Sequence, residues 1–114
     1  NQFGDVIASG AAQFGNIKII RGAQADTSIT ETVASGSAGI AIIKANQTER
    51  TMISPFVSEN SLIYITPMTD TKGITPYIAR QTAQEPIKGS RGSFTIQIPS
   101  SQLFDIKLNW IIVN

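Results

Sequence analysis

Asp105-Ile106-Lys107-Leu108-Asn109-Trp110-Ile111-Ile112-Val113 is the stretch whose reading decides the fold. In an extended chain Ile106, Leu108, Trp110 and Ile112 point one way, and Lys107, Asn109, Ile111 and Val113 point the other. A period of two is that of a β-strand with one buried face. The alternation gives way at its end, because Trp110, Ile111, Ile112 and Val113 are apolar on both faces. A segment of that kind is covered on both sides, by its own sheet packing or by a neighbouring chain.

Working outward, the same period recurs. Residues 93–98 (SFTIQI) alternate strictly, with Phe94, Ile96 and Ile98 inward, and Pro99 stops the strand. Residues 61–66 (SLIYIT) oppose Leu62 and Tyr64 to Ile63 and Ile65, and Pro67 ends them. Residues 40–44 and 48–53 read as two strands of a hairpin about the turn Ala45-Asn46-Gln47. Ser54-Pro55 closes the second of these, and Ser58-Glu59-Asn60 forms the next turn. Residues 77–80 make a short strand between two loops, 68–76 and 81–92. No window of twelve residues carries a convincing helical period. The nearest, residues 4–14, is interrupted by glycine and reads as extended or irregular. Ile and Thr recur while Leu is rare, which also favours strands. Strands spaced by turns in this way predict an all-β fold: an antiparallel β-sandwich or jelly-roll-like barrel of roughly six to seven strands.

The N-terminal third differs. Residues 14–21 (FGNIKIIR) read as a strand, with Ile17 and Ile19 on one face and Lys18 and Ile20 on the other. Residues 22–39 are rich in Ala, Ser, Thr and Gly, with Ile29 and Val33 as the larger apolar side chains. That composition reads as a linker, so the expected organisation is an arm over residues 1–38 and a compact β domain over 39–114. A linker of that length spans about 50 Å when extended. The strand of residues 14–21 could then pair with its own sheet or with the edge of a neighbour. A structureless loop that long is uncommon inside a compact domain.

Composition excludes several classes of function. The chain has 114 residues, no Cys and no His, 15% charged residues and a net charge of +1. One domain of this size buries roughly two-thirds of its unfolded surface. Without Cys there are no disulfides and no thiol nucleophile, and without His the commonest general base and zinc ligand are missing. Nine basic residues scattered singly among eight acidic ones form no stripe for phosphates, so no nucleic-acid partner is expected. No apolar run reaches the length of a membrane span. The start Asn1-Gln2-Phe3-Gly4 carries no signal-peptide pattern and reads as a processed end or a fragment boundary.

An ordered set of segments is similar to a known module: Asn46-Gln47-Thr48-Glu49, then residues 61–67 (SLIYITP), then 93–96 (SFTI), then 105–114 (DIKLNWIIVN). It resembles the C-terminal β module, closing on a DIKxNWxIVN pattern, of secreted or surface proteins of candidate-phylum bacteria with small genomes. Leu108 and Ile111 stand where that pattern usually has an aromatic. The resemblance implies a surface location and a terminal, structural role, with Asn114 as the natural end. It implies no activity.

The remaining motifs read as structure. Glu49, Glu59, Asp70, Glu85 and Asp105 are not spaced as a catalytic pair and read as solvated carboxylates. Residues 68–73 (MTDTKG) offer oxygen ligands but lack the repeated acids of a calcium loop, so a β-turn is the reading. Residues 88–92 (KGSRG) resemble a phosphate cradle without the spacing or the following helix. Asn46-Gln47-Thr48 is a formal glycosylation sequon. Tyr64, Tyr77 and Trp110 sit in strands, where core or inter-subunit packing is the commoner use.

The expectation is therefore a non-enzymatic, secreted structural subunit with no cofactor and no metal. It would self-assemble into a filament or surface fibre, possible partners being its own copies and a surface glycan. Phe14, Ile17, Ile19, Ile20, Trp110, Ile111 and Val113 are the candidate assembly residues. The alternative is a trimeric cap or fibre-like tip binding a glycan or receptor through loops 68–76 and 81–92.

Overall fold

The structure, a computed structural model, describes residues 20–114. Its strands are β1 (Gln24–Asp26), β2 (Glu31–Ala34), β3 (Ala38–Ile43) and β4 (Glu49–Ile53), then β5 (Leu62–Pro67), β6 (Tyr77–Thr82), β7 (Ser93–Gln97) and β8 (Ile106–Val113). They form two sheets, one of order β1-β2-β4-β7-β6 and one of order β3-β8-β5. The fold is an all-β sandwich of eight described strands, of which β1 and β2 were not announced by the sequence pattern.

β8 is the centre of the smaller sheet and behaves as its alternation requires. Ile106, Leu108, Trp110 and Ile112 are buried while Lys107 and Asn109 are exposed. Each fully buried side chain of this size contributes about 1.5–3 kcal/mol. A one-residue slip would place Lys107 and Asn109 in the core, so the register is held firmly. Across the core stand Met52 of β4 and Phe94 and Ile96 of β7, with Ala41 and Ile43 of β3 beside β8. Phe94 meets Trp110 edge-on, with ring centroids 5.3 Å apart and an interplanar angle of 63°.

Two expectations need correction. The stretch taken as a linker supplies β1, β2 and the first residues of β3. Its small side chains are packing residues: Ala34 is buried in the core, and Thr32 is buried beneath Asp26 and Arg50. Gly39 lies so close to Trp110 and the Gln24 side chain that a Cβ would strike both. The 50 Å reach therefore does not exist, and the chain is already tied to the fold at Ile20, whose carbonyl accepts the amides of Ser37 and Ala38 at 2.8 and 3.2 Å. Second, β3 and β4 are not a hairpin. β3 pairs with β8 and β4 with β7, so the turn after β3 carries the chain from one sheet to the other. β4 consequently lies parallel to β2, reached by residues 35–48. Asn46 takes the left-handed conformation at φ 69°, which Asn tolerates better than most residues. Of the expected first strand, residues 14–19 lie outside the described residues, and Arg21 makes a parallel bridge to Ala38.

Candidate assembly surface

An open sandwich has four strand edges, and each must be paired, blocked or left as a template for another chain. In this fold β1 and β3 face each other along one side and close it with side chains. The Gln24 amide donates to the Ile40 carbonyl at 2.7 Å and accepts the Ile40 amide at 3.0 Å, as a neighbouring strand would. Two residues on, Arg50 Nε donates to the Ile42 carbonyl at 2.8 Å. Arg50 is 1% exposed, and its other nitrogens donate to Thr32 Oγ1 and the Ile29 carbonyl, both at 3.2 Å. Asp26 Oδ1 accepts from Thr32 Oγ1 at 2.7 Å and lies 3.7 Å from Arg50 Nη1. The Thr32 hydroxyl above all holds the Asp26 carboxyl below its ordinary pKa; burial opposes it, and the Arg50 and Lys44 charges lower it by smaller amounts.

The other side is formed by β5 and β6 and is only partly closed. β6 is bulged between Ile78 and Arg80 and turns polar at Arg80, Gln81 and Thr82, both of which discourage pairing. Gln81 Nε2 reaches across to the carbonyls of Ser58 and Ser61 at 3.2 and 3.0 Å. β5 has no such device. It runs in unbroken register along β8 from Leu62 opposite Val113 to Pro67 opposite Leu108. The Met68 amide continues the ladder, donating to the Lys107 carbonyl at 2.8 Å. Alternate residues of an antiparallel strand direct their amides to the same side. Leu62, Tyr64 and Thr66 therefore serve β8, and the amides and carbonyls of Ile63 and Ile65 point outward. Pro67 has no N–H to offer and blunts only the end of this edge. Beside it opens a groove of about 320 Å³ lined by Ile65, Pro67, Thr71, Ile74, Pro76 and the buried Leu108.

The outer face of the same sheet is apolar at one end. Leu62 stands opposite Val113, and the next row reads Tyr64, Ile111, Ala38 across the three strands. Leu62 and Tyr64 are 57% and 56% exposed, and Ile111, Val113 and Ala38 are half-buried. No described segment covers this face.

The candidate residues divide accordingly. Phe14, Ile17 and Ile19 lie outside the described residues. Ile20 is half-buried at the margin of the apolar face, beside Ser37. Ile111 and Val113 lie on that face. Trp110 does not: it is 2% exposed in the core and is withdrawn as an interface residue. Tyr64 and Tyr77, read as core or inter-subunit packing residues, are half-exposed and so lie outside the core. Asp105 accepts the Ala45 amide at 2.8 Å, Asp70 caps its own turn at Lys72, and Glu49 and Glu85 pair with Arg80 and Lys88. Among the described residues no three acidic groups come together as a metal site. Gln24 and Arg50 escaped the sequence reading, although Arg50 shares strand parity with buried Met52 and so pointed inward.

No protein-family model matches the chain. Comparison with characterised proteins and with solved structures returns no match either.

Proposed function

We propose that the chain is a structural β module of a secreted filament or surface fibre, and that it works by associating with copies of itself. The observation that carries this reading is an apolar sheet face, Leu62, Tyr64, Ile111 and Val113, lying beside the strand edge, β5, that the described residues leave unprotected. An unprotected, regular, apolar edge is a template for pairing with another chain. The resemblance to the terminal modules of bacterial surface proteins supports the same use.

Negative-stain electron microscopy and light scattering of the full chain test it. Filaments or closed oligomers are expected, weakened when Ile17 and Ile19 are both replaced by Asp. A particle that stays monomeric over a wide concentration range removes the proposal.

A second reading draws on a polar recess of about 380 Å³ between Ser58, Glu59, Gln81, Glu85 and Lys88, which lies partly in loop 81–92. It would hold a hydroxyl-rich ligand such as a glycan. Glycan-array binding lost in the Gln81→Ala and Lys88→Ala variants supports it, and a blank array removes it.

A further inference from the structure

The self-association proposed above has a donor and an acceptor that can be named, and the inference rests on that reading. We propose that residues 14–19 of one copy add as a strand to the free edge of β5 in a neighbouring copy, with Ile17 and Ile19 turned into the groove above Leu108.

The acceptor follows from the edges. β1 and β3 are closed by Gln24 and Arg50, and β6 is bulged, polar and tied down by Gln81. Among the described edges β5 alone presents regular outward amides and carbonyls, and alongside it lies a groove in which Ile65, Ile74 and Leu108 supply apolar surface and Thr71 and Thr75 polar surface. Strand addition needs both features, because the backbone supplies affinity and pockets for alternate side chains supply selectivity. In the donor, Ile17 and Ile19 share one face and Lys18 takes the other. An added strand would thus present two Ile to the groove and Lys18 to water beside Tyr64.

The direction of the chain favours a neighbouring copy over the same one. Nineteen residues precede Ile20. Ile20 is fixed beside Ser37 at the β3 edge, which is the edge of the smaller sheet opposite to β5. The bridge of Arg21 to Ala38 is parallel, so the chain at residues 20–21 runs in the same sense as β3. To add to the free edge of its own β5, the chain would have to reverse and cross four strand spacings, about 19 Å, with no slack between residue 19 and the anchored Ile20. A donor at one edge and an acceptor at the other form a head-to-tail contact, which propagates as a fibre unless the rotation closes it.

The chain has no Cys, so engineered cysteines report contacts without background. Full-length Lys18→Cys, carrying a size tag, is mixed with full-length Tyr64→Cys and oxidised with copper–phenanthroline. A mixed dimer is expected, and is expected to be absent when Arg80→Cys on β6 replaces Tyr64→Cys. Asn16→Cys and Ile17→Cys, run in parallel, allow for register. Circular dichroism and Trp110 fluorescence confirm that each variant is folded. Cross-linking to Arg80→Cys, or a Lys18→Cys/Tyr64→Cys double variant that closes within one chain at high dilution, overturns the inference. If Ile17→Asp/Ile19→Asp abolishes association but no position cross-links to residue 64, the acceptor is wrong and the assembly reading survives. If that variant associates as the parent does, the assembly reading itself fails.

Discussion

Replacing Arg50 by Met removes the group that joins the two sheets on the β1/β3 side while keeping most of the volume of the side chain. The loss can be sized from three hydrogen bonds made by a charged donor, to Ile42, Thr32 and Ile29. Such bonds contribute about 1.5–3 kcal/mol each. Two of the acceptors are only part-buried, so water recovers some of that, and the buried guanidinium no longer has to be desolvated. A net cost of about 3 kcal/mol is expected. Asp26→Asn is the control: the Asp26 side chain is 51% exposed, and an exposed pair contributes at most about 1 kcal/mol. Urea unfolding followed by the fluorescence of the single Trp, buried Trp110, measures both. The m-value should stay constant, so that a change of midpoint reports stability alone. If Arg50→Met costs less than about 1 kcal/mol, or less than Asp26→Asn, then the side chain does not carry this closure.

Asp26 also sets a pH dependence. Its folded-state pKa is lowered, chiefly by the Thr32 hydroxyl, so the ionised form stabilises the fold above the unfolded value of about 4 and that contribution is lost as pH falls through the lowered folded value. Stability of the parent should therefore drop more steeply on acidification than that of Asp26→Asn; equal slopes would place the titration elsewhere. Gln24→Leu strips the amide and carbonyl of Ile40 of their partners and opens the β3 edge, so light scattering should detect a new association that Ile17→Asp does not suppress, and an unchanged particle size would show that the edge is blocked by other means. Asn114→Ala removes the side chain that accepts from Ser58 and Ser61 and donates to the Phe56 carbonyl; a loss of about 1–2 kcal/mol in the urea melt is expected, and no loss would mean that the loop of residues 54–61 holds itself.

The strands legible in the sequence were those whose side chains alternate between unlike environments. β7 and β8 have Phe94, Ile96, Leu108 and Trp110 in the core and polar residues between, and that parity survives any choice of partner. β1 and β2 were not legible. Gln24, Asp26 and Thr32 are polar because they close an edge, Gln24 on the backbone of Ile40 and Asp26 and Thr32 on each other and Arg50, and Ala34 is a small residue buried in the core. Local composition cannot tell such a segment from a linker.

The candidate surface divides in the same way. Parity along residues 105–113 already set Ile111 and Val113 on the face opposite Ile106, Leu108 and Trp110, whereas parity along residues 61–66 separated Leu62 and Tyr64 from Ile63 and Ile65 without saying which pair faces the core. Strand parity is a local property of an extended chain, so the sequence alone could determine it. Whether the strands either side of the turn at residues 45–47 form a hairpin or pass between sheets depends on which strand wins each edge, a competition between segments far apart in the chain. That competition gives β3 to β8 and β4 to β7, turns Gln24 and Arg50 into edge blocks, and leaves β5 open beside its groove. Only the tertiary structure decides which edge of a sheet is free, because an edge is defined by the neighbour it lacks.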